Sequence, residues 1–478
     1  MMIAAVDKRH ASIDGRKSCG CFKAAEPAAD DHNGFLHPDV PIMPDKAGSL
    51  IALAIPPSRG RQFRRFARTR VTSGCGNFFV PGGLGAESPH AEPVMPISNL
   101  FSSYFQGGFE CSTHRRADGR RLDLCEATHH ARLVAADYAT LGRHAIRTVR
   151  DGLRWHLIER SPGRYDWSSF VPMLRAARDH GMQVIWDLCH YGWPDDLDIW
   201  TPAFVDRFAA FAAAAARVVA DETNEVPVYC PINEISYFAW AGGEAERFHP
   251  LARGRGNELK RQLVRAAIAA IHSVRDINPR TRIMHSDPII NVVADAWRPQ
   301  DRAAAQNYHQ GQFEAWDMLS GRLAPELGGS PDNLDIMGAN FYWDNQWILN
   351  GPTLGFGHPF YRPLSELLAE LHDRYRRPIL IAETGAEARN GPAWLRYVAG
   401  ETRTALKAGV PMEGICLYPI LHYPGWDDER HCECGLLSRA GPDDRRKVDA
   451  LLAAELRIQQ AAFADLRHVG VPAALEEA

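Results

Sequence analysis

"TPAFVDRFAAFAAAAARVVADETNEVPVYCPINEI", residues 201–235, is the stretch that decides the fold. Its first part is helical by local criteria. Thr201 stands at the N-cap position, and Pro202 follows at the first helical position, where the missing N–H has no intrahelical partner to lose. Phe204, Phe208, Phe211 and Ala215 then form one apolar stripe at helical spacing. At the end of the stretch the period changes. Residues 228–232 are uncharged and strand-like, and they run straight into Asn233 and Glu234. A carboxylate there needs a partner, a task or a route to water, because burying it unpaired is costly.

The same alternation extends in both directions. Strand candidates lie at 104–110, 144–149, 182–188, 281–286, 334–340, 378–383 and 412–419, besides the one that begins at 228. Helical patterns lie between them at about 129–142, 168–180, 201–222, 257–277, 311–321, 364–375 and 392–409, and a last one spans roughly 442–468. In the second of these, Phe170, Met173, Leu174 and Ala177 share a face, and Gly181 marks the end. Strands alternating with helices imply a parallel sheet with the helices outside it. Eight such units predict an α/β fold of the closed (β/α)8, or TIM-barrel, type. The alternative is an open doubly wound sheet, which would carry a Gly-rich phosphate loop after its first strand. "GGFECS" (107–112) is not GxGxxG, so no nucleotide cofactor is expected.

Composition narrows the function. The chain has 478 residues, 45% apolar and 23% charged, with a formal net charge of −4. That balance carries no basic signal for nucleic acid. No apolar run approaches the roughly 20 residues of a membrane span, and the first twenty residues lack a signal-peptide h-region, so a cytoplasmic location is expected. Residues 1–94 differ from the rest, with unperiodic Pro and Gly, a basic cluster "RGRQFRRFARTR" and one short apolar run. They read as a disordered extension, or as upstream sequence included by a misplaced start, ahead of a domain at 95–478. Ten cysteines, several inside apolar strands (Cys189, Cys230, Cys416), read as reduced small hydrophobes. "HCEC" (431–434) lacks a second Cys or His pair at zinc-ribbon spacing, and no metal is expected.

A barrel collects its chemistry where the strands end. Arg150 follows the second strand, His190 the third, and Tyr342 the sixth; Asn233 and Glu234 end the fourth, and Glu383 ends the seventh. The fold would thus bring together two glutamates that are 149 positions apart. Two facing carboxyl groups are the requirement of glycosidic-bond cleavage. Glu159, in "LIERSPGRYDW", reads instead as an organiser of the loop after strand two.

These residues carry a family resemblance. From about 104 to 460 the chain resembles the barrel glycosidases of clan A, and most closely glycoside hydrolase family 1. "VYCPINEI" looks like the family's acid/base motif, and "PILIAETGAE" (378–387) is similar to its nucleophile motif. "DLCHYGWP" (187–194), "IRTVRDGLRW" (146–155), "MGANFYW" (337–343) and "GICLYPILHYPGW" (414–426) resemble its other segments, in the family's order. The resemblance implies a retaining β-glycosidase acting on a carbohydrate without a cofactor. It implies Glu383 as nucleophile and Glu234 as general acid, with carboxyl groups roughly 5–5.5 Å apart. Arg150 and Tyr342 would support Glu383, Asn233 would bind the sugar 2-hydroxyl, and His190 would touch the sugar. Trp426 and Trp193 would offer faces to its ring. The sequence also departs from the family. His114 and Arg115 stand near the place of its first-strand Gln, Gly425 stands where a Glu would hold outer hydroxyls, and Thr384 and Gly385 follow the nucleophile. A plain glucosidase is therefore not implied, and a different sugar, an oligosaccharide or a bulky glycoside fits as well. The competing functions are a catalytically idle sugar-binding barrel and an unrelated barrel hydrolase. A metal-dependent hydrolase would show an H-x-H motif at the first strand, which is missing.

Overall fold

A computed structural model describes residues 100–426 and 430–469, with side chains as far as 464. The expectations for residues 1–94 lie outside these. Eight strands are β1 (Phe105–Gly108), β2 (Thr148–Gly152), β3 (Gln183–Asp187), β4 (Val228–Cys230), β5 (Arg282–Pro288), β6 (Ile336–Asn340), β7 (Ile379–Thr384) and β8 (Met412–Leu417). Each pairs in parallel with the next, and β8 pairs with β1, so the sheet closes as the alternation predicted.

The helices α1 (His130–Arg143), α2 (Val171–Asp179), α3 (Pro202–Glu222), α4 (Gly256–Ile277), α5 (Glu314–Leu319), α6 (Leu364–Tyr375), α7 (Gly391–Lys407) and α8 (Ala450–Val469) follow the strands in turn. Before α5 the chain forms a further helix, Arg302–Gln310, which its sequence did not announce. The stripe of α3 is buried as predicted. Thr201 does occupy the cap position, but its hydroxyl donates to Asp198 O (2.8 Å) and accepts nothing from the helix. None of the described helices is long and apolar enough to cross a membrane.

Two separate apolar layers hold the barrel. Outward strand residues such as Val149, Trp186, Tyr229 and Ile381 pack with the helices in the larger core. Inward residues form a second cluster of Phe101, Ile185, Val228, Cys230, Met284, Ile336, Leu380 and Ala382. Strands covered on both faces read as continuous apolar runs, which is why alternation within each strand was weak.

This inward set fixes the polar site above it. In β3, Ile185 faces inward, and two residues on Asp187 does too. In β7 the inward residues Leu380 and Ala382 would by alternation leave Glu383 facing out. A register shift against β6 between Ile381 and Glu383 interrupts the alternation. Thr384 then faces the helices, accepting from Trp394 Nε1 (2.8 Å), while Glu383 turns into the barrel. A bulge of this kind re-aims a side chain at the cost of local pairing.

Candidate functional site

Glu383 Oε1 accepts from Arg150 Nη1 (2.7 Å), and Oε2 accepts from Tyr342 Oη (3.1 Å). Arg150 is the third residue of β2 and lies inside the strand, not after it as its sequence position suggested, because β1 and β3 both pair with β2 at this point. Its Nε and Nη2 form a fork onto Asp187 (2.9 and 2.7 Å), and Nη2 also donates to Asn233 Oδ1 (2.6 Å). Asn233 Nδ2 donates in turn to His190 Nε2 (2.9 Å) and to Tyr191 Oη (3.0 Å). Tyr191 Oη donates to Glu234 Oε2, and Asn340 Nδ2 donates to Glu234 Oε1 (2.8 Å). One unbroken run of hydrogen bonds therefore links Glu383 to Glu234 through Arg150, Asn233 and Tyr191. A second link is the backbone itself, since Asn340 stands opposite Glu383 in the β6–β7 register.

Six of the residues singled out in the sequence thus meet: Arg150, His190, Asn233, Glu234, Tyr342 and Glu383. Asn233 has its side chain fully engaged within the protein, Ser286 Oγ donating to the same Oδ1 (2.8 Å). Trp426 packs on Tyr191 with ring centroids 5.4 Å apart and lines an adjacent cavity of about 300 Å³. Trp193 lies apart. Its indole donates to Leu197 O (2.9 Å), and its ring packs on Phe204, Phe238 and His249 in the outer core. Glu159 holds its loop as expected, accepting from Trp155 Nε1 (2.7 Å) and Gly163 N (2.8 Å).

Sequence inspection passed over Glu110, Asp187, Tyr191, Ser286, Asp287 and Asn340. Asp187 had one visible signal, an acid closing the apolar run "MQVIW". Tyr191 had none, because its role depends on a backbone at φ 63°, a turn no motif announces. Glu234 also adopts a left-handed backbone, φ 44°, which swings its carboxyl back over the barrel.

The glutamates are more enclosed than a rim position implied. Glu234 is 2% exposed and Glu383 is 0% exposed. Burial is therefore the dominant electrostatic influence. It pushes both carboxyls up to about 7, against Arg150, which pulls Glu383 down. Their partners break the symmetry. Glu383 accepts from a guanidinium that Asp187 and Glu383 keep charged despite its burial, whereas the Tyr191 phenol and the Asn340 amide donate to Glu234. The guanidinium therefore favours the charged form of Glu383 more directly than that of Glu234. Burial also raises Asp287, to about 7, where Ser236 N (3.0 Å) and Oγ (3.1 Å) donate to it.

Cys111, Asp187 and His190 place one ligand atom each within 4.8 Å of the others. Both Asp187 oxygens are already engaged by Arg150, and burial with Asp187 holds the Cys111 thiol protonated. The set behaves as a hydrogen-bonded support for His190. Asn233 donates to Nε2, so the ring proton sits on Nδ1 facing Asp187 Oδ2 (3.0 Å).

The backbone is similar to solved barrels. It matches the AHE enzyme of Alicyclobacillus herbarius at TM-score 0.62 and 16% identity, over 77% of this chain and 99% of that one. It matches a family 1 β-glucosidase of Thermotoga maritima at TM-score 0.61 and 16% identity, over 78% and 93%. A complex of the Thermotoga maritima β-glucosidase with castanospermine gives 0.62 at 13% identity, over 76% and 98%. No family model matches the sequence, and no curated protein matches it. The likeness at this identity is one of fold.

Proposed function

We propose that this chain is a retaining β-glycosidase acting on a β-linked glycoside or oligosaccharide. Glu383 attacks the anomeric carbon as the glycosidic C–O bond breaks, and the proton of Glu234 goes to the departing oxygen. Glu383 then carries the sugar as an ester and no longer a charge. Glu234, now ionised, takes a proton from the water that releases the sugar. The observation that carries this is the unequal partnering of the two linked glutamates, a cation on Glu383 and neutral donors on Glu234. The barrel shared with β-glucosidases of known structure supports it as fold analogy.

The test is turnover of a panel of aryl β-glycosides. Glu383→Gln should lower kcat by roughly 10³-fold or more and Glu234→Gln by roughly 10²–10⁴-fold. A 2-fluoro glycoside should label Glu383 covalently, which an unrelated hydrolase mechanism would not produce. The second reading, an idle sugar-binding barrel, is favoured by the enclosure of both glutamates and by Gly425. Binding of sugars without turnover of any glycoside would establish it instead.

A further inference from the structure

On strands β2 to β4, Arg150, Asp187 and Asn233 spend their polar atoms on one another and on their neighbours. The β1 and β8 side is different. His114 Nδ1, Tyr418 Oη and Trp426 Nε1 are all buried there, and among the described residues none has a hydrogen-bond partner. Their residues are only 2%, 1% and 3% exposed. Each of these atoms carries the desolvation penalty of an unmade bond in the empty protein.

A carboxylate accompanies them. Glu110 lies two residues beyond the end of β1 and is 4% exposed. Its Oε1 accepts from Ser112 N (3.0 Å) and lies 3.5 Å from His190 Nε2. Among the described residues, Oε2 makes no hydrogen bond. Closure of the barrel puts Glu110 beside Tyr418, because Gly107 of β1 stands opposite Leu417 of β8. The ring of Tyr418 even occupies the space a side chain at Gly108 would need. Tyr418 also reaches the catalytic side. Its ring is parallel to that of His190 at 6.3 Å, and the Arg150 guanidinium sits 5.3 Å from its centre. His114 and Trp426 pack on each other at 4.6 Å, tilted by 38°, and wall the 300 Å³ cavity together with Arg116, Asp118 and Arg247.

The unbonded atoms are two neutral ring nitrogens and a phenol, joined by one carboxylate acceptor. Burial and the nearby cationic side chains keep His114 uncharged. Such a set matches hydroxyl groups, which donate and accept at once, and its carboxylate opposes an acidic substituent placed against Glu110. We propose that Glu110, Tyr418 and His114 determine specificity by gripping the hydroxyls of a neutral sugar ring, with Glu110 as the acceptor. This rests on the glycosidase reading of the same site.

The experiment compares wild type, Glu110→Gln and Tyr418→Phe on aryl β-glycosides, their monodeoxy analogues and an aryl β-glucuronide. Wild type should prefer neutral glycosides and lose roughly 10- to 100-fold in kcat/KM when the gripped hydroxyl is missing. Glu110→Gln should shrink both the deoxy penalty and the neutral-over-acidic preference by about tenfold, mainly through KM. Tyr418→Phe should raise KM without lowering Tm, since its hydroxyl bonds nothing among the described residues of the free protein. Unchanged deoxy and charge preferences in both variants would overturn the proposal while Glu383-dependent turnover kept the glycosidase reading intact. If wild type turns over no glycoside, calorimetric titration with neutral monosaccharides takes its place. Weaker binding by both variants supports the gripping set without catalysis, and binding equal to wild type, or none by wild type, overturns it.

Discussion

Glu383 and Glu234 carry a cost to folding that the proposed chemistry would explain. Both carboxyls are raised to about 7 from an ordinary value of 4.5, chiefly by burial. A raised carboxyl makes the folded state bind its proton more tightly than the unfolded chain does. Stability is therefore lost as pH rises from about 4.5 through 7. Glu234→Gln keeps an acceptor for Tyr191 and a partner for Asn340 but removes the buried charge. It should stabilise the protein by about 1–3 kcal/mol above pH 7 and by little below pH 4.5, measured by denaturant melts across pH. The same variant should lose activity. In wild type, kcat/KM should be bell-shaped around neutrality, falling on the acid side as Glu383 is protonated and on the alkaline side as Glu234 ionises. Two apparent pKa values belonging to the pair would describe it. A flat profile from pH 5 to 9 would contradict this assignment.

At the scale of elements, α1, β2 and the segment before α8 meet on a buried imidazole. His130 at the start of α1 is bonded at Nδ1 to Asp137 and at Nε2 to Asp151 of β2, both at 2.8 Å. Arg446 donates to Asp137 from the C-terminal side (2.5 and 2.9 Å), Tyr138 donates to Asp151 (2.7 Å), and Phe109 stacks on the ring at 3.7 Å. Both ring nitrogens donate, so the imidazole is charged. Burial opposes that charge, but Asp151 and Asp137 outweigh it and hold the group at about 9. The stabilisation is complete below pH 6.5 and disappears as pH rises through 9. His130→Gln should cost about 3–5 kcal/mol at neutral pH and abolish the fall in Tm between pH 7 and 9. An unchanged pH–Tm curve would refute this role. None of it was legible beforehand, because His130 reads as one more polar residue on a helix. Glu383 was legible as an acid ending an apolar run, although the bulge that aims it was not. Asn340 and Tyr191 escaped notice because their work depends on register and on a left-handed turn.

For the whole molecule, strand-and-helix alternation alone was enough to specify eight units and their closure. The polar partners inside needed coordinates, since inward and outward positions in doubly covered strands look alike. The end of the barrel away from the site is filled by Phe101, which packs with Ile185, Val228, Met284, Ile336 and Leu380. Ser103 follows it, and its hydroxyl accepts from Arg147 N and Thr148 N, both at 2.9 Å. Removal of residues 1–94 leaves these contacts in place and should leave Tm and activity unchanged. Removal through residue 103 should cost about 3–5 kcal/mol, as for loss of a buried Phe, with the difference read by calorimetry. Equal melting of the two truncated chains would show that Phe101 is dispensable.

That hydrocarbon floor has an electrical consequence. Above it, Arg150 answers two carboxylates, Asp187 and Glu383, so the enclosed set holds more negative than positive charge. An insulating base cannot screen this excess, and the field lines leave through the opposite opening. A sugar ring that becomes cationic as its bond breaks would meet there a potential already of the right sign.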